Sequence, residues 1–412
     1  MGTHKIMTGW KRLLALQQRA RDRYLSGVLI HRPENIYYFA SVYPLEPCFL
    51  VLPSDGEPEL VAARSALAEA QRDSLVPVTA GELDIAGTAY ERMLNKKMLK
   101  HPGDTLVKNV LRKVSESPIG LEMSYLSLFL FKYFNISNYQ DITSEINAMR
   151  EIKDSFEIEF ITRACRIADQ ALEHTREKIT LGMPEKELSG IFQAQAKALG
   201  AEESKCRVRS GENTAMAFSR WMDGNLDHGP LLVEYGASVR GYWSDMTRMF
   251  YLGSEPDGSF LEIYNLVLQA RNNALEHMHQ GQSIFGPEAR IREVFREKGL
   301  EQNMIYTAGH GIGLEIHEEP LLGSPPAPQE NREDTQPSLL EKSGMGSSFM
   351  TLAREMKSEA TPAFQKNHVV ALEPGLFFSH LGVSVKDVVL IRDKPGLLST
   401  LSTDPGDMVV YV

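Results

Sequence analysis

The chain has 412 residues, of which 42% are apolar and 24% charged, and it carries a formal net charge of −10. This is the profile of a soluble globular protein of two or three domains, and the acidity argues against a general binder of nucleic acid or anionic membrane, since both need a positive face. No run of about 18 apolar residues offers a transmembrane helix, and the three widely spaced cysteines, Cys48, Cys165 and Cys206, fit buried thiols in a reducing cytoplasm better than a disulfide framework or a zinc motif.

In chain order, residues 1–24 are basic, lack the apolar core and cleavage site of a signal peptide, and predict a polar-faced helix. In GVLIHRPENIYYFASV (27–42), apolar runs at 27–30 and 36–40 flank the turn residues Pro33 and Asn35. FLVLP (49–53) and ELVAA (59–63) predict strands about an SDGEP turn. A helix over 65–75, a strand over 76–80, an amphipathic helix over 83–115 broken by HPGD, a strand over 119–123 and a core helix over 126–134 follow. Alternating strands and helices argue an α/β domain with a largely buried sheet. Its histidines, His4, His31 and His101, stand apart from other catalytic residue types, so a structural or oligomerising role is expected.

Residues 146–179 carry the longest helical pattern, with Asp154-Ser155 as a cap and an apolar face through 157, 161, 164 and 168. Gly182 ends it and Pro184 opens a second helix over 185–200. The domain boundary is placed near 148–155, dividing the chain into 1–150 and 151–412.

Four later stretches carry chemistry. LLVEYGASVRGYWSDMTRMFYLG (231–253) predicts a hairpin in which Glu234 and Asp245 meet on one face. Two acids meeting inside a sheet call for a cation. TAGHGIGLEIHEEP (307–320) sets His310 and His317 among glycines and glutamates, residue types suited to metal ligation or proton transfer. NHVVALEPGLFF (367–378) ends an apolar strand on Glu373. In GVSVKDVVLIRD (382–393) one of Lys386 and Asp387 must face inward, because the alternation leaves no wholly polar face. Phe218, Trp221, Tyr235, Trp243 and Tyr306 lie near these motifs as candidate pocket walls.

HRPENIYYFASV, REIKDSFEIEFITRACRIADQAL, SGENTAMAF, EYGASVRGYWSDMTRMFYLG, GHGIGLEIHEEP and EPGLFF, in this order, resemble the pita-bread family of Xaa-Pro aminopeptidases, prolidases, methionine aminopeptidases and creatinase. The resemblance implies a creatinase/prolidase-like α/β N-terminal domain with a strand-turn-strand at its HRPEN segment. A pseudo-twofold α+β domain of curved antiparallel sheet and helices would follow. It also implies a homodimer and a pair of divalent ions, usually manganese, cobalt or zinc, held by Asp, Asp, His, Glu and Glu. Those five ligands fall on Glu234, Asp245, His310, Glu373 and Lys386. A further family histidine falls on Phe218, and an arginine common in the aminopeptidase branch falls on Ser384. His317 keeps the second substrate-side histidine. Residues 323–366, rich in Pro, Ser, Gly and charge, read as a flexible insertion.

A charged lysine has three donors and no acceptor, so Lys386 cannot ligate and would repel a divalent ion. A full dinuclear centre is therefore not expected; none or a single divalent metal is, the latter held by Asp245, Glu234, His310 and Glu373. The expected function is hydrolysis of a C–N bond in a small peptide-like or amidine-like substrate. His310, His317, Glu373, Glu234 and Lys386 would be catalytic, with Phe218, Tyr306 and Glu318 binding substrate. The alternatives are an ordinary metal-dependent Xaa-Pro peptidase and a non-catalytic protein-binding module.

Overall fold

The computed structural model describes residues 2–44, 48–63, 66–81, 118–125, 138–253, 255–323, 362–398 and 409–410. The helices expected over 83–115 and 126–134, His101 and most of 323–366 lie outside the described residues. The chain forms two compact units, Met1–Met149 and Arg150–Val412. Among the described residues, no helix is long and apolar enough to cross a membrane.

The first unit opens with α1 (Gly2–Asp22), whose Leu13, Leu16 and Ala20 line one buried face. Its sheet comprises β1 (Gly27–Ile30), β2 (Cys48–Pro53), β3 (Glu59–Ala63), β4 (Val78–Gly81), β5 (Ile119–Leu121) and β6 (Tyr139–Asp141), in the order β4-β3-β2-β1-β5-β6. β1 and β2 are buried at every position, so alternation gives no guide to them.

The expected strand-turn-strand at HRPEN is corrected here: Pro33–Ala40 is a helix, α2. Pro33 sits in its first turn with Glu34, both favoured at a helix start. Glu122, buried just beyond β5, accepts from the backbone N–H groups of His31 (2.8 Å) and Arg32 (3.2 Å), satisfying donors at that end. A short apolar run cannot by itself tell strand from helix. Among the described residues up to the boundary, the further helices are α3 (Leu67–Asp73) and α4 (Thr143–Glu151).

The second unit opens with α5 (Ser155–Arg176). Asp154 Oδ1 accepts from Phe156 N (2.8 Å) and Glu157 N (3.0 Å), while Glu157 reaches back to Asp154 N (2.9 Å). This reciprocal cap starts the helix where the sequence places it. α6 (Glu185–Ala198) follows Pro184, and both helices pack on β7 (Glu203–Ser210) and β8 (Gly229–Val239). Arg240 and Gly241, both at positive φ (53° and 78°), turn the chain into β9 (Tyr242–Trp243) and β10 (Met246–Leu252). A second helix pair, α7 (Gly258–Leu275) and α8 (Gly286–Glu297), backs the other half. That half contains β11 (Gly309–Gly311), β12 (Glu318–Leu321), β13 (Val369–Leu372), the hairpin of β14 (Gly375–Phe377) with β15 (Gly382–Ser384), then β16 (Asp387–Leu390) and β17 (Gly396–Leu397). A last strand, β18 (Val409–Val410), pairs with β10.

The half-sheets run β18-β10-β8-β7 and β12-β11-β13-β16-β17. Phe260, Tyr264, Val267, Ile291 and Phe295 from the second helix pair pack with Val370, Leu372 and Val389 in one apolar core. Two helix pairs on two half-sheets make this unit the α+β pita-bread arrangement. The halves are stitched where Thr247 and Lys386 exchange backbone hydrogen bonds at 3.1 and 3.2 Å.

Candidate active site

The site straddles that seam. Glu234 lies on β8 and Asp245 just before β10, while His310 on β11, Glu373 after β13 and Lys386 before β16 come from the other half. Thr247 pairs with Glu234, and the flanking pairs Trp243–Ser238 and Met246–Tyr235 set Asp245 across from Gly236. The two acids are thus diagonal neighbours on one face. Gly236 must lack a side chain, because a Cβ there would lie 2.2 Å from the Ser244 carbonyl oxygen. Gly309, at φ 150°, likewise admits the Ala371 carbonyl, which would sit 1.9 Å from a Cβ.

Lys386 points into the carboxylates. Its Nζ is 2.7 Å from Asp245 Oδ2, 2.9 Å from Glu373 Oε2 and 3.7 Å from Glu234 Oε1. Burial alone would favour a neutral amine, yet Asp245, then Glu373 and Glu234, hold its pKa well above the ordinary lysine value. Burial would likewise raise the Asp245 pKa, but Lys386 and then His310 bring it below the usual aspartate value. The ammonium is therefore charged and its donors face three acids. Glu234 has a second cation, since Arg207 Nη1 donates to its Oε2 at 3.0 Å.

His310 is fixed by Nδ1, which is 2.9 Å from the Gly311 carbonyl oxygen and so carries the proton. Its buried Nε2 has no hydrogen-bond partner. That nitrogen lies 3.6 Å from Asp245 Oδ2 and 3.8 Å from Glu373 Oε1. Donors around a first-row ion stand roughly 3 to 3.5 Å apart, so each of these two separations from His310 is slightly longer than an ion would set. Asp245, His310 and His317 also offer donor atoms within 4.8 Å of one another. The Lys386 ammonium contacts the same Asp245 oxygen, Oδ2, at 2.7 Å. The His317 ring is 4.3 Å from that of His310, centre to centre. Its pKa is pushed down to about 4, by desolvation first and by His310 second, so the ring is neutral at pH 7.

The other expected residues are distributed around this cluster. Tyr306 donates to Ser384 Oγ at 3.3 Å, and burial, then Glu373, raises its pKa. Phe218 meets the Tyr306 ring edge-on at 6.2 Å and is 71% exposed, at the rim. Glu318 is drawn into a buried ion cluster: Arg150 contacts its Oε1, Lys153 lies 3.3 Å from its Oε2, and Glu315 N donates to Oε1 at 3.0 Å. It thereby braces the loop that carries His317. Tyr235, a candidate pocket wall, is instead core, its hydroxyl donating to Asp169 at 3.0 Å. Strand alternation from Glu234 carries that signal, since neighbours face opposite ways.

Two groups escape the sequence reading. Arg207 is one. The other is the buried ion cluster of Asp387, a residue expected only as the alternative to Lys386: Arg248 (2.8 Å) and Arg271 (2.5 Å) hold it on the far side of the sheet. Lys386 and Asp387 are both buried, where a half-exposed strand would bury one.

Residues 159–393 match metallopeptidase family M24, and residues 12–152 match the creatinase/prolidase N-terminal domain. The chain is 28% identical over 387 residues to a Xaa-Pro dipeptidase of Pyrococcus furiosus, covering 93% of this chain and 95% of that protein. It is 30% identical over 304 residues to the Xaa-Pro dipeptidase of Pyrococcus horikoshii, covering 72% and 80%. The solved prolidase from Pyrococcus furiosus superposes with a TM-score of 0.75 at 26% identity, covering 94% of this chain and all of that one.

Proposed function

Because this chain belongs to metallopeptidase family M24, we propose that it hydrolyses a C–N bond in a small peptide-like or amidine-like substrate, prolyl dipeptides being the first class to test. We further propose that its centre holds one divalent ion or none, where the family's peptidases typically hold two. The observation that carries this reading is the Lys386 ammonium, 2.7 Å from Asp245 and 2.9 Å from Glu373, at the residue that the family resemblance matches to the bridging ligand. Exchanging a glutamate for a lysine adds two positive charges, the amount one divalent ion supplies. The site's charge is then preserved when one ion is lost. Asp245 and His310, with Glu373 and Glu234 beside them, are the residues that would hold the remaining ion.

When bound, such an ion would polarise a carbonyl and lower the pKa of water. The chain's own groups do the rest. Lys386 keeps Asp245 and Glu373 ionised and oriented. Glu373 takes a proton from the attacking water and passes it to the leaving nitrogen as the C–N bond breaks, while His317, neutral at pH 7, donates a hydrogen bond to the oxygen where charge develops. Phe218 and Tyr306 form the apolar side of the substrate cleft.

The test is metal content after purification in manganese-containing buffer, together with hydrolysis of alanyl-proline. Fewer than two ions per chain are expected; two tightly bound ions would remove the basis of the Lys386 argument. His317→Ala should lower the rate by about a hundredfold or more, the usual contribution of a positioned acid–base group. A wild type that cleaves no C–N substrate, with His317→Ala silent in every assay, would favour a scaffold.

A further inference from the structure

We propose that Arg150 and Lys153 are positioning residues for His317: they hold the Glu318 carboxylate around which the His317 loop is wound. The proposal rests on the hydrolase reading, in which His317 donates to the oxygen where charge develops. Glu318 opens β12, and His317 directly precedes it. The Glu318 side chain folds back against its own loop. Its Oε1 accepts from Glu315 N at 3.0 Å, and its two carboxylate oxygens would lie 2.7 and 2.8 Å from a Cβ at residue 313. Only a glycine there lets the carboxylate in. Gly313 N in turn donates to the Glu315 carbonyl (3.0 Å), and the Gly313 carbonyl accepts from Trp243 N (2.8 Å). The loop thus closes on one carboxylate.

Two buried cations grip that carboxylate. Arg150 Nη2 contacts Glu318 Oε1 and also, at 2.9 Å, Glu315 Oε2, while Lys153 Nζ lies 3.3 Å from Glu318 Oε2. Burial would raise the Glu318 pKa, but Arg150 and then Lys153 bring it below the usual glutamate value, so the carboxylate is charged at pH 7. The segment that carries both cations is fixed to the sheet that bears His310. Lys153 N donates to the Asn367 carbonyl at 3.0 Å, and Ile152 bridges His368. β13 follows at once and pairs with β11, where His310 lies opposite Ala371. The clamp and His310 therefore stand on one frame, and the clamp sets the His317 ring 4.3 Å from that of His310. Arg150 acts through the loop and His317 acts where charge develops, so losing the clamp should lower kcat and spare KM. A lysine at position 150 keeps a single donor nitrogen, and a single nitrogen makes both contacts here.

The experiment measures kcat and KM for alanyl-proline in wild type, Arg150→Met, Arg150→Lys, His317→Ala and the double variant Arg150→Met/His317→Ala. Arg150→Met should lower kcat by roughly tenfold to a hundredfold, the effect of a displaced catalytic group, with KM changing by less than about threefold. Arg150→Lys should recover most of the rate. In the His317→Ala background, Arg150→Met should cost about twofold or less, because the residue it positions is already gone. Should Arg150→Met not fold, Glu318→Gln reads the same cycle: it keeps an acceptor for Glu315 N and removes the charge that the two cations hold. Losses that multiply in the double variant, or a loss confined to KM, overturn the proposal. A nuclear Overhauser contact between the His310 and His317 rings, in histidine-labelled protein, reads the geometry without activity. It should be present in wild type and Arg150→Lys and lost in Arg150→Met; its survival in Arg150→Met, or its absence in wild type, overturns the clamp. If wild type cleaves no C–N substrate, the hydrolase reading falls, while the ring contact still decides Arg150.

Discussion

At the scale of single residues, the centre turns on what an ammonium shares with a metal ion and what it lacks. Both neutralise carboxylates, but only the ion accepts an electron pair from water or a carbonyl oxygen. Two carboxylates about 4 Å apart repel by roughly 4 kcal/mol at an effective dielectric near 20, so Lys386 removes repulsions that would otherwise need a proton or a second ion. Lys386→Met should accordingly bind manganese more tightly than wild type, because the three acids lose their resident cation. Lys386→Glu combined with Phe218→His, which restores the family pattern at both positions, should bind a second manganese ion per chain. Calorimetric stoichiometry checks this, and a count unchanged from wild type would mean that the positional matching of Lys386 to the bridging ligand is wrong.

At the scale of elements, the distance between Lys386 and Asp245 depends on how the half-sheets meet. Arg248 Nη1 donates to the carbonyls of both Thr247 and Lys386 at 2.9 Å, while its Nη2 holds Asp387 at 2.8 Å. One guanidinium thus grips both sides of the seam, and Asp387 ties it to Arg271 on α7. Asp387→Asn leaves two guanidinium groups without their shared counter-charge. Breaking a buried pair in this way costs about 3–5 kcal/mol, measurable as a shift in the urea midpoint; a loss under about 1 kcal/mol would show that the cluster does not hold the seam. The seam also explains which parts of the site were legible in the sequence. The hairpin of Glu234 and Asp245 could be read because its turn needs positive φ at Arg240-Gly241 and strand alternation does the rest. Asp387 could not, because β16 is covered on both faces and its alternation carries no inside or outside. Arg207 looks like any charge on an edge strand until its partner is known. The 36–40 run was ambiguous for a different reason: Glu122, the group that caps α2, lies far along the chain.

At the scale of the folded unit, pH dependence reports on a second, partly buried pair. Glu151 Oε2 lies 3.7 Å from His368 Nε2. Burial, and then Glu319, raises the Glu151 pKa from 4.5 to about 7. Burial, and then Lys153, lowers that of His368 from 6.5 to about 4. Between pH 4.5 and 7 the folded chain keeps a proton on Glu151 that the unfolded chain has released, so this group's contribution to stability falls as pH rises. Between pH 4 and 6.5 the unfolded chain holds a proton on His368 that the folded chain lacks, so that contribution rises with pH. The two slopes oppose each other over most of their range, and wild type should show little net dependence from this pair below pH 6.5. Glu151→Gln removes one slope and exposes the other. Relative to wild type, the variant should gain stability steadily from pH 4.5 to 7, by up to about 3 kcal/mol for a shift of this size. Urea unfolding of both proteins across that window measures the difference directly. A difference independent of pH would mean that Glu151 is ionised in the folded chain at neutral pH, paired with His368 rather than held neutral beside it.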